Sequence, residues 1–165
     1  MTDQTNDQSA AAGDAPAAPE TGGTGTGRRR IEMRRLEHSS YEVTNARGGT
    51  IRFGGGEGTD FTPVELLLTA IAGCSAIDVD FITSRRAEPD SFVVEASGEK
   101  VKSAELGNHM EDIEVTFTVR WPEGADGDRA REAFPRAVRQ SHDRLCTVSR
   151  TVQLGTPVTM HADEG

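Results

Sequence analysis

The sequence predicts an α+β domain, and three observations carry that prediction. Phe61–Thr83 is a long apolar run with the signals of a helix start. Ile113, Val115, Phe117, Val119 and Trp121 alternate with Glu114, Thr116, Thr118 and Arg120, the period of a half-buried strand. Shorter alternations occur at Ile31/Met33, Tyr41/Val43 and Ile51/Phe53. Strands, helix, hairpin, helix and strand in that order argue for α+β rather than a parallel doubly wound sheet. The 165 residues suffice for one domain with a real core.

Residues 1–27 are Ala, Gly, Pro, Thr, Asp and Gln, with no large apolar side chain after Met1. Ordering each would cost roughly 1–2 kcal/mol with little to bury in return, so a disordered tail is expected there and a folded domain over 28–163. Gly22–Gly27 imitates a phosphate loop only in composition, since no strand precedes it and no helix follows. From Arg28 to Phe53 short strands are expected, with Asn45-Ala-Arg-Gly-Gly49 as a hairpin turn. Gly54–Asp60 is a Gly-rich loop.

Thr62, Pro63 and Glu65 form the start of the central helix: an N-cap, a first-position Pro and a Thr-x-x-Glu capping box. Behind them, apolar residues from Leu66 to Ile82 cover nearly every face, which predicts a buried helix carrying Cys74. Asp78 and Asp80 interrupt the run, favouring a core helix over a membrane span. After Arg85–Pro89, Phe92–Val101 and Ile113–Trp121 read as the arms of a hairpin whose apolar face packs on that helix. Pro122–Gly127 is a turn, and Asp126 or Asp128 can cap a second helix that Pro135 kinks or restarts. Cys146–Val152 follows, then a Gly155–Pro157 break and a short strand, Val158–His161.

The formal charge is −9, of which residues 1–30, with four acids and three arginines, hold only −1. An acidic surface argues against nucleic acid and anionic membranes as partners. Met1–Gln8 has neither the basic start nor the apolar centre of a signal peptide, so a cytoplasmic location is expected. Two cysteines, Cys74 and Cys146, then suggest a buried inert pair, a redox pair or part of a metal site rather than a permanent disulfide framework.

Pro63-Val-Glu-Leu-Leu-Leu-Thr-Ala-Ile-Ala-Gly-Cys74-Ser-Ala-Ile-Asp resembles the first signature of the OsmC/Ohr family. Ser141-His-Asp-Arg-Leu-Cys146-Thr-Val-Ser resembles the second. The resemblance covers about residues 30–162 and is nearest to the OsmC-like subgroup. It implies antiparallel sheets wrapped around a buried central helix in an intertwined homodimer, with no cofactor. It also implies peroxidase chemistry in oxidative-stress defence. Cys74 would attack an organic hydroperoxide and become a sulfenic acid, Cys146 would resolve it as a disulfide, and a dithiol would reduce that disulfide.

A thiol attacks as thiolate, and burial works against the ion. Cys74 stands eleven residues beyond Pro63, past the reach of the helix dipole. It therefore needs a cation; an Arg at about 4 Å offers about 4 kcal/mol at an effective dielectric near 20. Peroxidases of the family carry a Glu directly after the motif proline to hold that Arg, whereas this chain has Val64 there and the acid at Glu65. At 100° per residue Glu65 falls opposite Cys74, so its expected role is the cap, with a catalytic role as the alternative. Arg47 and Arg52 are the candidates for the cation, each also readable as a solvated surface residue. Cys74 is also readable as a small core residue. His142, four before Cys146, would face it on a continuous helix as a hydrogen-bonding partner. No metal site is expected, because Cys74, Cys146 and His142 lack a fourth ligand at recognisable spacing.

Overall fold

The computed structural model describes residues 25–163, which form two compact units divided between Asp60 and Phe61. Most of the expected tail, residues 1–24, lies outside the described residues.

The first unit is a three-stranded antiparallel meander of β1 (Ile31–Glu37), β2 (Ser40–Asn45) and β3 (Thr50–Gly54). The alternation read from the sequence sorts its two faces. Met33, Val43 and Ile51 stand in one cross-strand row, and Tyr41 stacks on Phe53 with ring centroids 5.6 Å apart. On the other face Glu42 lies between Arg34 and Arg52, 2.7 and 3.5 Å from their nitrogens. The β2–β3 turn is closed by Asn45, whose Oδ1 accepts from the backbone N–H of Arg47 and Gly49, while Gly48 takes φ +83°.

The second unit runs α1 (Pro63–Thr83), β4 (Ser91–Ser103), β5 (Gly107–Arg120), α2 (Ala125–Gln140), a π-helical turn (Ser141–Leu145) and α3 (Thr147–Gln153). β4 and β5 form one long antiparallel hairpin, longer toward its turn than the arms expected from the sequence, with β5 ending at Arg120, one residue before Trp121. An irregularity between Ser97 and Glu99 faces Asp112, which adopts φ +49°. α1 packs on β4, α2 and α3. Its Ile71, Ser75, Val79 and Thr83, four residues apart, are buried, and Phe92, Phe117, Phe134 and Trp121 make a chain of edge-on ring contacts beside α2.

Four expectations need correction. Within its own unit α1 is covered on one flank: Ala70, Gly73, Ile77 and Phe81 share an exposed stripe, with Ile77 66% and Phe81 62% accessible. Its length and hydropathy would also suit a membrane span, yet Asp78, Asp80 and the buried Ser75 and Thr83 fit a helix packed in a domain. α2 is entered through Gly124 at φ +106°, so Asp126 and Asp128 sit inside its first turn rather than at its cap. There they still favour the positive end of the helix dipole. Pro135 does not restart α2, which runs unbroken to Gln140; the helix changes its winding only at Ser141. Val158–His161 is irregular and exposed, since a strand needs a neighbouring edge to receive its hydrogen bonds.

Candidate functional site

Helical spacing places Cys74 and Asp78, four residues apart, on one face of α1 at the border of its exposed stripe. Cys146 arrives from the far end of the chain. It ends the π-helical turn, where its backbone N–H reaches back five residues to the carbonyl of Ser141, and it starts α3. The result brings the Cys74 sulfur, the Cys146 sulfur and an Asp78 carboxylate oxygen all within 4.8 Å of one another.

Backbone and side-chain donors fix this group. The Ser141 hydroxyl, 1% exposed, donates to Asp78 Oδ2 at 2.9 Å, tying the π-helical turn to α1. The Cys146 thiol lies 3.9 Å from the Ile71 carbonyl oxygen it faces, and its sulfur accepts from the Ser149 N–H at 3.3 Å. The Val148 backbone amide acts on Cys74 in the direction that favours the thiolate. The start of α3 thus supplies a backbone amide donor to the Cys146 sulfur.

The electrostatics at Cys74 oppose the thiolate. Burial pushes its pKa up, and the neighbouring Cys146 and the Asp78 carboxylate push the same way. Among the described residues only the Val148 amide pulls it down, and the groups of this unit that act on Cys74 include no cation. Cys74 is half-buried and Cys146 fully buried, so a small molecule meets Cys74 first.

Within the second unit, Glu65 and His142 are not at this group. Glu65 is in the capping box: its Oε2 accepts from the Thr62 N–H and hydroxyl, both at 2.7 Å, and the Thr62 oxygen accepts from the Glu65 N–H. The Thr62 amide holds its carboxyl below the usual carboxylate range. Arg47 and Arg52 belong to the first unit, where Arg52 pairs with Glu42. His142 does not face Cys146, because a π-helical turn carries about five residues where an α-turn carries four. Its ring is exposed, with Nδ1 2.9 Å from Asp143 Oδ1 and Nε2 3.4 Å from Gln153 Nε2. It borders a cavity of about 200 Å³ with an apolar floor of Ile71, Ile113, Val115 and Phe117 and a polar lip that includes Ser75, Ser149 and Gln153.

Sequence reading passed over Asp78 and Ser141. The Cys74-x-x-x-Asp78 spacing was a usable signal, since it puts an acid one helical turn from the thiol, but on its own it read as a break in an apolar run.

Two close cysteines on an α+β scaffold define a thiol site. A family model described as OsmC-like protein matches residues 55–161, and the chain belongs to that family. Solved structures agree on the fold. A hypothetical protein from Aquifex aeolicus VF5 is 22% identical at a TM-score of 0.63, covering 79% of this chain and 91% of that one. An OsmC-like protein of unknown function from Vibrio cholerae is 10% identical at 0.65, over 78% and 95%. An organic hydroperoxide resistance protein OsmC from Legionella pneumophila is 13% identical at 0.50, over 76% and 89%. No curated protein sequence matches the chain.

Proposed function

We propose that this protein reduces organic hydroperoxides through a Cys74/Cys146 redox pair, as part of oxidative-stress defence in the cytoplasm. The observation that carries the reading is the placement of both sulfurs within 4.8 Å, a separation that a small side-chain movement closes to a bond. Cys74, the more accessible thiol, attacks the O–O bond; its sulfur is oxidised to sulfenic acid and the alcohol leaves with the proton. The Cys146 thiol then displaces water from that sulfur and forms the disulfide. An external dithiol returns both to thiols while becoming a disulfide itself. The cavity floored by Ile71 and Phe117 offers apolar lining for the organic group. The stripe of Ala70, Gly73, Ile77 and Phe81 supports a homodimer, because a second copy of α1 would cover it. Residues 28–163 act as one OsmC-like domain in this reading, and the net charge of −9 supports partners other than nucleic acid or membrane.

A second reading is favoured by a specific observation: the Cys74 thiol is held above its usual range with no cation from its own unit. On that reading the protein keeps the fold and the cysteines without fast peroxide chemistry, binding a small ligand or responding to redox state. The test uses reduced protein and stoichiometric cumene hydroperoxide, followed by mass spectrometry. Loss of two hydrogens, abolished in Cys74→Ser and replaced by a trappable sulfenic acid in Cys146→Ser, supports the first reading. Neither disulfide nor sulfenic acid within minutes supports the second.

A further inference from the structure

The same three side chains have a second chemistry. Two thiol sulfurs and a carboxylate within 4.8 Å form a compact set of groups that become anionic donors when a metal replaces the thiol protons. In a tetrahedral zinc shell, with bonds of about 2.0–2.3 Å, ligand atoms sit about 3.3–3.8 Å apart. The donors therefore need to close by about 1 Å, within the reach of rotation about the Cys74 and Asp78 side-chain bonds. Ser141 supplies what metal-binding carboxylates ordinarily have, a buried hydroxyl that fixes one oxygen and leaves the other free. Cys74 lies toward the accessible edge, so a fourth position is left for water or a small ligand. Thiolate sulfur selects zinc(II) or another soft divalent ion over magnesium and calcium.

We propose that the reduced protein binds one zinc(II) per chain through Cys74, Asp78 and Cys146, with Ser141 as the positioning residue. Binding replaces the two thiol protons, which are released to solvent, and the Asp78 carboxylate needs to lose none. This departs from the expectation of no metal site, which counted His142 and not Asp78. Combined with the redox reading above, on which this second step rests, the metal and the hydroperoxide compete for the same sulfurs. Two thiolates, two protons and one hydroperoxide give a disulfide, an alcohol and water, and the cation is released.

The experiment titrates reduced full-length protein with zinc(II) against a chromophoric chelator and, separately, with cobalt(II) followed by absorption. One equivalent bound, with sulfur-to-cobalt charge-transfer and tetrahedral ligand-field bands, is the expected result. Asp78→Asn keeps both thiols and should weaken zinc at least tenfold, and Ser141→Ala about ten- to a hundredfold. Disulfide-oxidised protein should bind none. No zinc binding by the reduced chain overturns the proposal, as does an Asp78→Asn variant that binds like the parent with circular dichroism unchanged. Peroxide oxidation measured on metal-free protein is independent of these outcomes, so failure of the metal site and failure of the redox pair are told apart.

Discussion

Ser141→Ala is the substitution that most directly probes how the two halves of the site are held together. Its hydroxyl is 1% exposed and donates across 63 residues of sequence to Asp78, at 2.9 Å. A hydrogen bond to a charged group contributes about 1.5–3 kcal/mol. Asp78 is half-buried, so water can replace part of the lost bond on its side, and the lower half of that range applies. We expect Ser141→Ala to destabilise the reduced protein by about 1.5–2 kcal/mol in urea unfolding, which corresponds to a melting temperature lower by about 5–7 °C for a domain of this size. Asp78→Asn in the same background should show a coupling of about 1 kcal/mol, because the two groups form one contact. Cys146, whose burial depends on the turn that Ser141 anchors, should become faster to label with a thiol reagent. A variant within 0.5 kcal/mol of the parent, with Cys146 labelling unchanged, would refute the claim that this bond fixes the turn on α1.

Two further outcomes are expected. Burial, Cys146 and Asp78 all hold the Cys74 thiol above its usual range, so its alkylation rate in Cys146→Ser or parent protein should still be climbing with pH where an ordinary thiol has levelled off. A plateau already reached by neutral pH would show that a cation outside this unit acts on it. Thr62→Ala should cost about 1 kcal/mol of stability through loss of the cap while leaving peroxide reactivity unchanged. Because the folded Glu65 carboxyl lies below its unfolded value, its stabilisation is present above the unfolded value and is lost as pH falls through the folded one. Reactivity that disappears with Thr62→Ala would return Glu65 to the catalytic candidates.

The central helix and the long hairpin were legible because their signals are local: a capping box, a first-position Pro, and strict alternation from Ile113 to Trp121. Glu65 could be placed by helical angle alone, since its partner Thr62 is three residues away. Ser141 could not, because its partner is 63 residues distant and nothing in either segment specifies the other. His142 was misplaced for a different reason. A π-helical turn has no pattern that separates it from an α-turn in a short polar segment, and one extra residue in the turn swings the ring into solvent. The apolar periphery of α1 read as buried because composition records that a face is apolar and not what covers it. Cys74 and Cys146 came together only through the motifs that carry the family resemblance.

The most direct test of the account remains the mass of the reduced protein after one equivalent of organic hydroperoxide. Two sulfurs placed as these are should lose two hydrogens together and form an intramolecular Cys74–Cys146 disulfide, seen as a single cross-linked peptide after digestion. A protein that stays fully reduced, or that oxidises Cys74 without ever linking it to Cys146, would contradict it.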